Sequence, residues 1–208
     1  LMLQKDFNPV LRFMVVSDVH YKDEHCVEEE RMEKAIKIAY RLSEEHPTYK
    51  KLDGVFADGD FANSGTETQM KKFKKTLEDN LKEETKYCLN MASHEYHGDG
   101  VENAYKRFND IFGIPVDNHV EINGFHFILI SSSHGCEYEQ DKADYARAEL
   151  KKAREADPKK PIFFFQHPHI TDTVSGSIYW ADETFYPILM DYPQAIDFSG
   201  HSHVPIND

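Results

Sequence analysis

The chain has 208 residues, 40% apolar and 12% aromatic, enough for one domain over 1–208 with a substantial core and no need of disulfides. Thirty-seven acidic against 24 basic residues give a formal charge of −13, and no Lys/Arg block stands apart from acids, which argues against long nucleic acid as a partner. No apolar run approaches the roughly 20 residues that span a bilayer, and the N-terminus lacks a signal-peptide pattern.

Cys26, Cys88 and Cys136 have no metal-type spacing, and their odd number leaves at least one thiol free. A reducing compartment, the cytoplasm, fits that usage. The chain opens on Leu1 rather than Met, which leaves room for a removed leader, and its end five residues after His203 leads us to expect further C-terminal sequence.

Leu11 to Ser17 reads as a buried strand, followed by an amphipathic helix over about 28–45 with Met32, Ala35, Ile36, Ala39 and Tyr40 at helical spacing. Leu52 to Ala57 predicts a second strand, Asn63-Ser64-Gly65-Thr66 the caps of a Lys-rich helix through about Glu84, and Lys86 to Met91 a third strand. This alternation is that of a parallel sheet. A helix over Val101 to Phe112 follows, then two runs, His119 to Ile122 and Phe125 to Ser131, around the hairpin signal Asn123-Gly124. His126 falls among apolar neighbours and reads as a solvated or hydrogen-bonded sheet histidine; His25, His46, His119 and His134 fit no pattern and default to the surface. A charged helix over Lys142 to Ala156, a doubly covered strand over Pro161 to Phe165, a short helix over Glu183 to Met190 and a strand over Ala195 to Phe198 complete the pass.

Five of these apolar runs end in metal-type residues. Val15-Val16-Ser17 leads to Asp18-Val19-His20, whose two side chains share one strand face. Alone, such a triplet reads equally as a strand end capping its turn. The second run ends in Asp58-Gly59-Asp60, the third leads to Ser93-His94-Glu95, the strand over Pro161 to Phe165 runs into Gln166-His167-Pro168-His169, and the last into Gly200-His201-Ser202-His203. Ends of parallel strands converge, so these side chains are candidates for one site.

In order and spacing these blocks, DVH, GDFAN, ASHE, QHPH and GHSH, resemble the calcineurin-like metallophosphoesterases over nearly the whole chain. The resemblance implies a four-layer α/β/β/α sandwich of two mixed sheets, two divalent ions (manganese, iron or zinc), and hydrolysis of small phosphodiesters or phosphomonoesters, nucleotides among them. Carried over by position, Asp18, His20 and His203 hold the first ion, Asp60 bridges both, and His167 and His201 hold the second. Two such ions about 4 Å apart activate a bridging hydroxide and brace an in-line displacement at phosphorus. His94 is then the general acid, a task suited to imidazole.

Ser93 stands where the family has a ligating asparagine, and a hydroxyl is a shorter, poorer ligand; Asn90 lies three residues too early. A weaker second site follows, and with it a rival reading as a catalytically impaired binding or regulatory module. In the fourth block His167 is preferred as ligand because it continues the strand, leaving His169 as a supporting or substrate-facing residue. Asn63, which could equally cap a helix, and His97 are further substrate candidates. So are the hydroxyls of Asp172 to Ser177, Thr173 among them, in a loop resembling one of a bacterial subgroup, with Tyr179 or Trp180 able to stack on a base.

Overall fold

The computed structural model describes residues 8–97, 100–175 and 179–204. Strands β1 (Phe13–Val16), β2 (Gly54–Asp58) and β3 (Lys86–Asn90) form one sheet in the order β1-β2-β3. Both of its pairings are parallel. Of the two sheets, only the second is therefore mixed. The reason is that helices α1 (Val27–Glu44) and α2 (Glu67–Asn80) each carry the chain back to the same sheet end before the next strand. In the second sheet β4 (Asn118–Ile122) and β5 (Phe125–Ile130) form the antiparallel hairpin, with Asn123 and Gly124 both at positive φ in its turn. Strands β6 (Ile162–Gln166) and β7 (Ala195–Phe198) add parallel to β5, in the order β4-β5-β6-β7.

Three apolar layers bind the elements together. Met32, Ile36 and Tyr40 of α1, Met70, Phe73 and Leu77 of α2, and Phe108 and Phe112 of α3 (Val101–Phe112) pack on Val55, Ala57 and Leu89 of the first sheet. Between the sheets Phe56 stacks on Phe127 at 4.4 Å, and Phe165 and Phe163 extend the seam. Beyond the second sheet, Ile128, Ile130 and Phe164 meet Ala146 and Leu150 of α4 (Gln140–Ala156) and Ile188 of α5 (Tyr186–Leu189). The order is helices, sheet, sheet, helices. No helix among the described residues is long and apolar enough to cross a membrane.

Two helices are shorter than their sequence pattern. The second stops at Asn80, where Leu81 turns extended and the chain folds through a Thr85 N–H to Lys82 carbonyl bond toward β3. The last is one turn, entered through a Tyr186 N–H to Glu183 carbonyl bond. His119 is not a surface residue: it sits between Glu149 (2.6 Å) and His126 (2.8 Å), which bear on its two ring nitrogens.

Candidate metal centre

The strands β1, β2, β3, β6 and β7 all end on one edge of the sandwich, and the turns beyond them carry the candidate ligands. The first two turns are laced together, Asp18 N–H donating to the Gly59 carbonyl (3.2 Å) and His20 N–H to that of Asp60 (3.0 Å). Gly200 N–H reaches back to the His167 carbonyl at 3.0 Å. Asp18, His20, Asp60, His201 and His203 all have φ between 50° and 68°, a left-handed conformation unfavourable to residues other than glycine. Such strain persists where the surroundings impose it, commonly at functional sites.

Donor atoms of Asp18, His20 and His203 lie within 4.8 Å of one another, as do those of Asp60, His167 and His201, and of His20, Asp60 and His94. His203 Nε2 is 3.0 Å from Asp18 Oδ1 and 3.3 Å from His20 Nε2. Asp18 Oδ2 already accepts from Ser17 Oγ and the His201 N–H, so Oδ1 is the oxygen left for an ion.

His167 is placed as a metal ligand would be. Its Nδ1–H donates to the Asp58 carbonyl at 2.6 Å, which leaves Nε2 fully buried with no hydrogen-bond partner, 3.1 Å from Asp60 Oδ2 and 3.5 Å from Asp18 Oδ1. A lone pair facing two carboxylates is repulsive unless positive charge sits between them. A proton can supply it: burial opposes charging His167, but the Asp60 carboxylate 3.1 Å away outweighs burial and raises the imidazole, while Asp60 itself is held well below the usual carboxylate range. A divalent ion can supply it as well, and the imidazole and carboxylate donors suit manganese, iron or zinc. His20 and His201 are lowered, chiefly by burial and then by a neighbouring histidine, which keeps their nitrogens free for a metal.

The calcineurin-like phosphoesterase family profile matches residues 11–205. The chain belongs to that family. Membership implies divalent metal cofactors, for which these residue groups are the candidates. Among solved structures, a purple acid phosphatase from yellow lupin (Lupinus luteus) seeds is similar at 13% identity and a TM-score of 0.62, covering 92% of this chain and 37% of its own. That likeness concerns the fold, and the chain spans little more than a third of the lupin protein's length. Comparison with curated proteins gives no significant match.

Around this calcineurin-like centre, Ser93 opens a one-turn 3-10 helix (Ser93–Tyr96) with Oγ 3.3 Å from Asp60 Oδ2, close to the carboxylate at the asparagine position. Asn90 is elsewhere, bonded to Asp58 Oδ1 and the Ile130 carbonyl. The His94 N–H holds Asp60 Oδ1 at 3.0 Å, its Nδ1–H donates to the Asn63 carbonyl at 2.6 Å, and its Nε2 is 3.9 Å from Asp60 Oδ2. The Asn63 side-chain amide turns to Ser64 Oγ, while the residue lines a cavity of about 660 Å³ with His20, His94 and His203. His97 is exposed, its ring 4.8 Å from that of His94.

The remaining substrate candidates lie farther off. His169 is fully buried and donates from Nε2 to the Tyr179 carbonyl, so it braces the chain rather than facing substrate. Thr173 spends its hydroxyl on the Ile170 carbonyl. Ser175 of the same loop is exposed, and Gly176 and Ser177 lie outside the described residues. Tyr179 is exposed and does not line the cavity of about 420 Å³ over the centre; Trp180 does, with Asp60, His94, Cys136, His201, Ser202 and His203.

Two participants had no role from sequence. Glu95 is fully buried and accepts the backbone N–H groups of Asp60, Ala62 and Ala92 at 2.8–2.9 Å. Its only signal was its place in the ASHE block. Cys136 Sγ lies 3.4 Å from His201 Nε2, which nothing in its spacing foretold.

Proposed function

We propose that this chain is a dinuclear metal phosphoesterase acting on small phosphodiesters or phosphomonoesters, nucleotides among them, with His94 as general acid. The observation that carries the reading is the unpartnered, buried Nε2 of His167 between the Asp18 and Asp60 carboxylates. Asp18, His20, Asp60 and His203 would hold one ion, and Asp60, Ser93, His167 and His201 the other. Bound divalent ions supply positive charge to a phosphoryl group and activate water for attack.

The chain's own residues do the rest. Asp60 is fixed by the His94 N–H on one oxygen, which keeps it from rotating away from shared ligation. His94 is anchored through Nδ1, so the proton it can hand to a departing alkoxide is the one on Nε2, on the side of Asp60 and the open cavity. A dry wall behind the centre, with His167 fully buried, strengthens each of these electrostatic contacts.

The test is hydrolysis of an aryl phosphodiester and an alkyl-leaving phosphodiester after manganese reconstitution. His94→Ala is expected to lower turnover on the order of 10²-fold or more, with the larger loss on the alkoxide leaving group. Asp60→Ala is expected to abolish it. No turnover with both ions bound would overturn the reading. The rival binding module is favoured by Ser93 alone, and is the outcome if one ion is held tightly and no ester is cleaved.

A further inference from the structure

The cavity of about 420 Å³ over the second ligand trio is walled by polar and charged side chains except for Cys136 and Trp180. Trp180 is the chain's sole tryptophan. It is 73% exposed, its ring standing 5.6 Å from that of His201 at 69°, so one part of the indole touches a candidate ligand and most of it is open.

Its backbone has φ 55°, an outlier for a bulky side chain. The surroundings enforce it. On one side of Trp180 the Tyr179 carbonyl accepts from buried His169 Nε2 (3.1 Å); on the other the Asp182 N–H donates to the His169 carbonyl (3.0 Å). His169 is two residues past His167, so the segment bearing Trp180 is tied on both sides to the strand that delivers a metal ligand. An exposed indole in a strained, doubly tethered position contributes little to the core and faces the reaction centre.

We propose that Trp180 is a specificity-determining stacking platform: it binds a flat aromatic group carried by the alcohol that is esterified to the phosphate, with His169 as the residue that positions it. This rests on the phosphoesterase reading above and deepens it, because that reading alone does not distinguish aromatic from aliphatic esters. Ring stacking on an aromatic side chain is sequence-tolerant, so a nucleobase and a simple aryl group share the required chemistry.

Because Trp180 is the only tryptophan, its fluorescence reports the contact directly. Zinc-loaded protein is titrated with adenosine monophosphate, phenyl phosphate and ribose 5-phosphate, with calorimetry in parallel. Quenching by the two aromatic esters is expected, with affinities roughly 5- to 150-fold above that of ribose 5-phosphate, the range of one stacking contact. Trp180→Leu should bring both aromatic ligands to the ribose 5-phosphate level. His169→Gln, which keeps the indole but loosens its tether, should weaken the same two ligands. Preference for adenosine monophosphate over phenyl phosphate assigns a nucleobase, and equal affinity an aryl group. Equal binding of all three ligands to wild type and Trp180→Leu overturns this inference and leaves the phosphoesterase reading standing. Binding of none also overturns this inference, while the phosphoesterase reading stands or falls separately on ester turnover with both ions bound.

Discussion

The Asp60 N–H donates to the buried Glu95 carboxylate at 2.9 Å, while the Asp60 carboxylate accepts the N–H of His94, the residue before Glu95. The proposed bridging ligand and the proposed acid are thus locked to each other through two adjacent residues of one 3-10 turn. Glu95→Ala strips three buried N–H groups of their acceptor, each worth about 1–3 kcal/mol. We expect a stability loss of about 3 kcal/mol or more in urea denaturation, with loss of metal retention. Unchanged stability and full metal content would show that Glu95 does not organise the turn.

Gly59 tests the same turn from its backbone. Its φ is +73°, and an added Cβ would stand 2.6 Å from Ala92 Cβ and 2.7 Å from His167 Nδ1. Gly59→Ala should therefore cost about 2–4 kcal/mol from the left-handed penalty and overpacking together. The displaced His167 should weaken metal binding in the same variant, measurable by calorimetry.

Metal-free protein should show a defined pH response. Burial lowers His167, but Asp60 and Asp18 overcome it and push the imidazole up to about 10 from 6.5. Its charged form therefore contributes stability in full below pH 6.5, and that contribution is lost as pH rises through about 10. Ligation needs Nε2 deprotonated, so metal affinity runs the other way over the same window. The Tm of metal-free protein should fall across it while the added stabilisation by zinc grows. Parallel Tm curves with and without metal would contradict the proton–metal exchange at His167.

Ser93→Asn should tighten the second ion on the order of tenfold, because an amide oxygen reaches farther than a hydroxyl now 3.3 Å from Asp60 Oδ2. Metal content after dialysis is the readout. A wild-type protein that already retains two ions at full occupancy would show that Ser93 does not weaken the site.

The candidate ligands were legible in the sequence because each ends an apolar strand run, and parallel strands bring such ends together whatever the loops between them do. Periodicity placed α3 and β7 within their observed bounds for the same local reason. What escaped depends on partners distant in the chain. Glu95 acts through N–H groups 33 and 35 residues away, Cys136 meets His201 65 residues on, and His119 is drawn in by Glu149. The stacking residue could not be chosen between Tyr179 and Trp180, because their order along a loop says nothing of which ring the His169 tether turns over the centre.

Sharing of Asp60 by two ions can be read from electron paramagnetic resonance of metal-depleted protein titrated with manganese. A mononuclear signal at low loading should convert, at two equivalents, to the multiline spectrum of an exchange-coupled pair, with no coupled spectrum in Asp60→Ala. A wild-type spectrum that stays mononuclear at saturating manganese would contradict it.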